Sequence, residues 1–460
     1  MRFHNRKPVS ALFGLVACTL AGCTMMPMPT PTAGAPAQPS IGQPPTIEPS
    51  APSALTSDDL YAIYQALITE YVDRVDDGKL LEAALTGARD AAVAIGLLPI
   101  ETGILDTAPL HPSGDPRTDY ADFGAAYDAF VAKLGGRLDI GAVGRGAARG
   151  MLAALGDPLT TYLDRDTMKR MQSAGEGSIG VTLVPGRDGG PPVVRLTDSA
   201  GPAAGAGIAP GDSILSVDGS PTSGLDLYDV LLSLSGPAGS QVQIGVSSPG
   251  GEPREITVSR SRLDRRSITA TLVDGIEMIQ LRSFDRNVVD TLRRALRDSI
   301  ADGASGWVID VRGNGEGNLT NAVDVASLFV GQQTIAIERE HGGRETTIRG
   351  TSLPLASLLP TVVLVDGATA GPGELFAAAI RDYGAGTLVG ETTAGRLGTP
   401  TVVGLSDGSA AEITTTRIYS PSRDSLLGSG VEPDVPVAAD SQALARGEDP
   451  VADRAMALLR

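Results

Sequence analysis

After Lys169 this 460-residue chain contains no lysine. A lysine general base or Schiff base is therefore excluded from everything downstream. Histidine is almost as scarce: His4, His111 and His341 are the only three, and no Ser/His arrangement suggests itself from their positions. The two cysteines, Cys18 and Cys23, both lie at the N-terminus, so the body of the chain has no disulfide framework, thiol nucleophile or cysteine metal site. Neither a metal nor a cofactor is implied. Basic residues are outnumbered 37 to 54, and a net charge of −17 opposes binding to nucleic acid or to anionic lipid heads. Aromatic residues make up only 4%. What is abundant is glycine and proline, 57 and 32 residues, which favours many turns and a mixed or β-rich body over a helix bundle.

The first residues read as a targeting segment. Arg2, Arg6 and Lys7 precede a short apolar run from Ala11 to Leu20 that is too short to span a bilayer. It ends in Leu20-Ala21-Gly22-Cys23, which resembles the lipobox of bacterial lipoproteins. The resemblance implies cleavage before Cys23 and lipidation of its thiol, hence an anchor in the bacterial envelope facing the periplasm. Thr24, where an aspartate would signal inner-membrane retention in enteric bacteria, favours the outer membrane. Residues 1–22 carry three basic and no acidic side chains, so their removal takes the net charge from −17 to −20. Residues 23–55 are Pro, Ala, Ser and Thr with a single charge, Glu48, and read as an extended tether.

Folded structure is expected from Ser57, read as a helix N-cap, with a helical region over 56–176. Leu60, Ile63, Leu67, Ile68 and Tyr71 recur at helical spacing. Val143–Leu155 forms a second helical run that stops at Gly156-Asp157-Pro158, and Leu98–Arg117 reads as an irregular loop. Over 177–262, short strands (Val193–Leu196, Ile214–Val217, Val242–Val246) alternate with turns, with a helix over Leu225–Leu234. Gly201-Pro-Ala-Ala-Gly-Ala-Gly-Ile-Ala-Pro-Gly-Asp-Ser-Ile-Leu-Ser-Val-Asp-Gly219 resembles the core of bacterial PDZ modules. That resemblance implies a groove for peptide C-termini, with Ser178, Ile179, Gly180 and Val181 at the carboxylate-binding loop and strand addition as the mode of binding.

From 263 to 460, buried strands alternate with amphipathic helices: Ile276–Leu281, Val288–Ala301, Trp307–Val311, Asn321–Phe329, Thr361–Val365, Glu374–Asp382 and Thr387–Val389. A hairpin turns at His341-Gly-Gly. The fold class expected is α/β, a layered αβ core with an inserted β-rich PDZ domain and an N-terminal helical region. The run from Val365 through Thr369-Ala-Gly-Pro-Gly-Glu374 to Gly390-Glu-Thr-Thr-Ala-Gly-Arg396 resembles the active-site block of the C-terminal processing (tail-specific) peptidases. Arg149–Leu163, Asp310–Asn318 and Gly430–Asp434 match further blocks of that family, so the resemblance covers nearly all of 57–460.

The family uses a serine nucleophile and a lysine base 25 residues later. Here those positions are Gly371 and Arg396, and the supporting glutamine falls on Pro400. Glycine has nothing to attack with, and a guanidinium stays protonated. In the oxyanion region, Gly317 and Pro372 are the candidate positions, with Glu316 replacing the first glycine of a Gly-Gly pair. Thr369, Thr392, Thr393 and Thr399 are nearby hydroxyls, for which a structural role is expected of Thr369. The leading expectation is an inactive peptidase relative that binds protein C-termini or unfolded polypeptides as a scaffold or regulator. An active relative or another envelope protein is a further candidate partner. Two alternatives stay open: a peptidase using other residues, and a small-ligand site in the vacated cleft.

Overall fold

The computed structural model describes residues 55–460, apart from 107–112, 114, 135–139, 174–176, 226 and 264–265. The leader, residues 23–54 of the expected tether with Cys23, and His111 lie outside the described residues, whereas Leu55, the tether's expected last residue, is buried against the helices and its carbonyl accepts the Tyr127 hydroxyl at 2.7 Å. The first helix, α1 (Ser57–Thr69), is capped by Thr56 rather than by Ser57. The Asp59 N–H donates to the Thr56 hydroxyl and the Thr56 N–H to the Asp59 carboxylate, a reciprocal box that Ser57 is one residue too late to form. Then come α2 (Asp77–Ala94), the single turn α3 (Gly103–Asp106), α4 (Pro116–Leu134) and α5 (Ile140–Ala153). The expected loop at 98–117 thus holds helical turns. Pro99 starts a 3₁₀ turn with its φ preset, and the Glu101 carboxylate accepts the Leu98 N–H at 2.8 Å.

Helices α2 and α5 touch backbone to backbone. A Cβ on Gly150 would lie 2.2 Å from the Ala83 carbonyl oxygen, and one on Gly87 2.1 Å from that of Gly146. Only glycine permits that approach. Tyr61, Tyr64, Tyr120, Phe123 and Tyr127 stack in a chain between α1 and α4, so much of the chain's small aromatic content sits in one region. The short strand β1 (Thr161–Leu163) and helix α6 (Arg165–Ser173) lead out of it.

The next module is a five-stranded antiparallel sheet in the order β2-β3-β4-β6-β7, built from β2 (Val181–Val184), β3 (Val193–Thr197), β4 (Ser213–Val217), β6 (Gln241–Ser247) and β7 (Arg254–Ser259). A short β5 (Ser220–Pro221) flanks β4, and helices α7 (Pro202–Gly205) and α8 (Leu227–Leu234) complete it. Strand β2 is an edge, and α8 packs through Leu227, Val230 and Leu234 onto Ile179, Val181 and Leu183.

The remaining chain builds β8 (Ile268–Val273), β9 (Ile276–Leu281), α9 (Val288–Ala301), β10 (Gly306–Asp310), α10 (Leu319–Val330), β11 (Thr334–Glu340), β12 (Glu345–Arg349), β13 (Thr361–Val365), α11 (Pro372–Asp382), β14 (Thr387–Gly390), β15 (Gly398–Gly404), β16 (Ala410–Tyr419), β17 (Val435–Pro436), α12 (Ser441–Ala445) and α13 (Pro450–Leu459). Its central sheet runs β17-β14-β13-β10-β9-β8, all parallel except β8. Both faces are covered, which is why its strands read as unbroken apolar runs. Ile309, Val363 and Val365 face α9, α10 and α11, whereas Val308, Val362 and Leu364 face Val451, Ala455 and Met456 of α13. Trp307, the one tryptophan, is fully buried and donates its indole N–H to the Ser299 hydroxyl at 2.8 Å. A second sheet, β1-β16-β11-β12 with β15 beside β16, ties the N-terminal helices to this core through β1 and a Thr160–Thr414 hydrogen bond. Among the described residues, no helix is long and apolar enough to cross a membrane.

Candidate functional site

The C-terminal ends of β10 and β13 converge on the segments around 310–317 and 366–371. Gly371 is the N-cap of α11, with φ +45° and ψ −106°. This left-handed backbone is costly for any residue with a Cβ. There is nevertheless room for one: the nearest atom to an added Cβ is the Arg396 carbonyl oxygen, 3.9 Å away. The space beside Gly371 thus lies toward residue 396, and no side chain fills it.

Glu374, one turn into α11, fixes the relation between the two positions. Its Oε2 accepts the backbone N–H of Gly371 (3.0 Å) and of Arg396 (2.8 Å). Its Oε1 accepts the Gly395 N–H (2.7 Å) and the Thr393 hydroxyl (2.6 Å). The carboxylate is fully buried, and burial raises its pKa despite these four donors. Glu374 is the residue that reading the sequence for chemistry passed over. The signal was an acid three residues into a helix, the reciprocal capping position.

Thr369 is fully buried, with its hydroxyl donating to the Val311 carbonyl (3.1 Å) and lying 3.1 Å from Asp366 Oδ1. Thr393 is buried on Glu374 and also accepts the Val431 N–H at 2.7 Å. Both hydroxyls hold loops together. Pro372 has no N–H to donate, and the Gly373 N–H is bonded to the Ala370 carbonyl at 2.9 Å. Gly317 has φ +107° and lies so close to Phe284 that a Cβ would sit 2.4 Å from its backbone. Glu316 is exposed, while its carbonyl accepts the Phe284 N–H at 2.9 Å. Pro400 sits on β15 opposite Thr414, at an irregularity in the ladder.

Arg396 is half-buried. Its guanidinium lies over the ring of Tyr228, 4.7 Å from the centroid, so the first turn of α8 reaches across to the core. Burial raises the Tyr228 pKa, and Arg396 works against that shift.

A buried ionic ladder lies beneath. Arg195 of β3, 3% exposed, donates to Asp310 at 3.2 Å. Asp310 is also held by two bonds from Arg312 (2.9 and 2.8 Å), which makes two more to Asp449 at the start of α13 (2.9 and 2.8 Å). Burial alone would raise the Asp310 carboxyl, but Arg312 and then Arg195 outweigh it and hold it well below the usual carboxylate range. Among the described residues, Arg195 Nε and Nη2 and the buried Asp366 Oδ2 have no hydrogen-bond partner.

At the loop before β2, Ser178 Oγ accepts the Gly180 N–H (3.1 Å), Gly180 has φ +84°, and the Ile179 carbonyl accepts the Ala203 N–H (2.9 Å). Ser178, Ile179 and Val181 border one cavity of about 380 Å³ beside the open edge of β2. Among the described residues, no group of three or more His, Cys, Asp or Glu is placed to hold a metal.

Known proteins resemble this chain in sequence and fold. The pattern defining Peptidase family S41 matches residues 275–437, and that of the PDZ domain matches 167–247. The chloroplastic C-terminal processing peptidase of Tetradesmus obliquus is 32% identical over 309 residues, covering 63% of this chain and 67% of that protein. The chain belongs to the C-terminal processing peptidase family.

The carboxy-terminal processing protease CtpB of Bacillus subtilis is 26% identical over 363 residues, 77% of this chain and 75% of its own. The solved photosystem II D1 C-terminal processing protease superposes with a TM-score of 0.54 at 26% identity, covering 85% of this chain and 97% of that one. The chain thus shares the serine-type peptidase fold and its PDZ domain, and the motif resemblance assigns Gly371 and Arg396 to the nucleophile and base positions.

Proposed function

We propose that this C-terminal processing peptidase relative no longer cuts peptide bonds and instead binds the C-termini of proteins, tethered to the envelope membrane by lipid on Cys23. The observation that carries this reading is the turn at 371. It leaves open space where a Cβ would sit and carries no side chain, and the guanidinium of Arg396, whose carbonyl oxygen is the nearest atom to that space, is stacked on Tyr228. Acyl transfer needs a nucleophile activated by a base within hydrogen-bond reach. A guanidinium does not give up its proton at any accessible pH. The intact groove beside β2 supports the binding half of the proposal, since strand addition needs only an open edge and an apolar pocket. The reading includes a scaffold or regulatory role in the periplasm, on the outer membrane.

The test uses residues 23–460 with Cys23→Ser, beside the same chain carrying Gly371→Ser, Arg396→Lys and Pro400→Gln. Each is incubated with an unfolded protein ending in an apolar tail, and the products are read by mass spectrometry. The unmodified chain is expected to leave the substrate intact while retaining it in a pull-down. Defined cleavage by the unmodified chain would refute the proposal.

A further inference from the structure

The central sheet ends in an open edge. Strand β8 is its last member, and among the described residues only β9 pairs with it. From Thr269 to Val273 every residue is exposed, on both faces of the sheet. The strand has none of the features that keep sheet edges apart. Ile268-Thr-Ala-Thr-Leu-Val273 contains no charge, no proline and no glycine, and most of its positions are β-branched. Its register with β9 runs unshifted from end to end, so no bulge turns it away. Edges that stay in solvent are normally blunted by a charge, a proline or a bulge.

The outward backbone groups can be assigned to residues. Strands β8 and β9 join through Asp274-Gly275, with φ of +51° and +80°. A two-residue turn with both φ positive makes its flanking residues, Val273 and Ile276, a hydrogen-bonded pair. Such pairs alternate along the ladder, so Val273, Thr271 and Thr269 bond to β9. The Arg282 N–H on the Ser267 carbonyl, at 2.8 Å, has the same phase. Ile268, Ala270 and Leu272 therefore turn their N–H and C=O groups to the outside.

We infer that this edge is an interface between two copies of the chain, whose β8 strands pair antiparallel about a twofold axis at Ala270. With Ala270 opposite Ala270 the strands overlap fully, and every outward N–H meets an outward C=O. Ile268 then lies opposite Leu272 on one face and Thr269 opposite Thr271 on the other, apolar against apolar and hydroxyl against hydroxyl. Just beyond the strand, the exposed Arg266 comes opposite Asp274 at each end. The Asp274 side chain is 68% exposed even with Arg460 at 2.5 Å, so its carboxylate is open to a second cation. Unlike charges at both ends offset part of the repulsion between two chains of net charge −17. The proline-rich stretch 23–55 of the same chain would suit the edge poorly, because proline brings no N–H to a ladder. Pairing makes one sheet continuous through two cores and puts two PDZ modules on one particle. It is independent of the proposed C-terminus binding.

The test uses residues 23–460 with Cys23→Ser, which hold no other cysteine. One strand pair is a small interface, so sedimentation velocity at rising concentration should show a monomer–dimer equilibrium. Ala270→Pro should abolish the dimer. The N–H it removes points outward, so the β8–β9 ladder and the thermal midpoint should be kept. Arg266→Asp sets like charges opposite each other at both ends and should weaken association about tenfold, an effect that added salt shrinks. Cross-linking reads the register. Hydrogen-bonded partners lie about 5.5 Å apart at Cα, within disulfide reach, so Ala270→Cys should link two copies under mild oxidation. Leu272→Cys, which comes opposite Ile268, should not. A chain that stays monomeric would overturn the inference, as would a dimer indifferent to both Ala270→Pro and Arg266→Asp, whose interface lies elsewhere. Equal cross-linking at 270 and 272 would mean random collision and overturn it as well. Should Ala270→Pro lower the thermal midpoint, Arg266→Asp and the two cysteine variants decide.

Discussion

The ring of Tyr228 and the guanidinium of Arg396 meet at 4.7 Å, and they belong to different modules. Tyr228 lies in the first turn of the PDZ helix α8, and Arg396 stands where the motif resemblance would put the general base. A half-exposed contact of this kind contributes about 0.5–1 kcal/mol. In a double-mutant cycle of Tyr228→Ala and Arg396→Ala followed by urea unfolding, a coupling energy of that size is expected. Arg396→Lys should keep less than the full value, because the planar fork stacks better than an ammonium. Strictly additive single variants would mean the contact carries no energy.

Gly371→Ala tests the turn itself. The Cβ meets nothing closer than 3.9 Å, so any cost is conformational rather than steric. A residue with a Cβ forced into the left-handed region loses about 1–2 kcal/mol. The chemical-denaturation midpoint should fall accordingly with the slope unchanged. A neutral result would show that the turn relaxes.

In the buried ladder the two acidic–basic partners are unequal. Asp310→Asn leaves Arg195 and Arg312 buried against a neutral amide, and a loss of about 3–5 kcal/mol is expected. Arg195→Met leaves Asp310 still paired with Arg312 and removes two unpartnered nitrogens, so its effect should stay within about 1 kcal/mol. The pH dependence follows from the depressed Asp310 pKa. Its contribution is fully present above the unfolded carboxylate value of about 3.9 and is lost as pH falls below it toward the native value. Asp310→Asn should therefore flatten the acid limb of the stability curve measured from pH 5 to pH 2.

Glu391, just past β14, behaves in the opposite sense. Burial, and then the neighbouring Asp366, push its carboxyl up to about 6. A raised acid binds its proton more tightly when folded, so stability falls as pH rises from the unfolded value of about 4.3 through about 6. Glu391→Gln removes that decline. At pH 7 it should stabilise the chain by about 1 kcal/mol, allowing for the solvent that reaches this half-buried group, and at pH 4 by nothing. Thermal unfolding at the two pH values reads the difference.

Much of the core was legible because its strands and helices carry strong periods. Val288–Ala301 and Thr361–Val365 have the same ends in sequence and structure, and the hairpin turns at His341 as expected. Helix α2 was not singled out, because after Leu80 and Leu81 its buried face continues as Ala84, Ala88 and Ala92, small residues with little contrast to their neighbours. The helix expected from Leu225 begins at Leu227, after a turn. In the site, the glycine at 371 was readable as a departure from a local motif resemblance. The Glu374 pin, the Arg195–Asp310 pair and the Tyr228–Arg396 stack were not, since each joins segments far apart in the chain whose proximity only folding creates. Arg195 and Asp310, for example, are 115 residues apart.

Trp307 gives the molecule a built-in reporter with a single address. As the only indole, sealed between β10 and the Ser299 hydroxyl, its emission should stay blue while the peptidase layer remains closed and shift red only when that layer opens. Peptide-induced changes around α8 would leave it dark to the event. A PDZ module that loosens before the core melts would therefore show as far-ultraviolet dichroism lost ahead of fluorescence, two curves from one sample that separate the modules without a label.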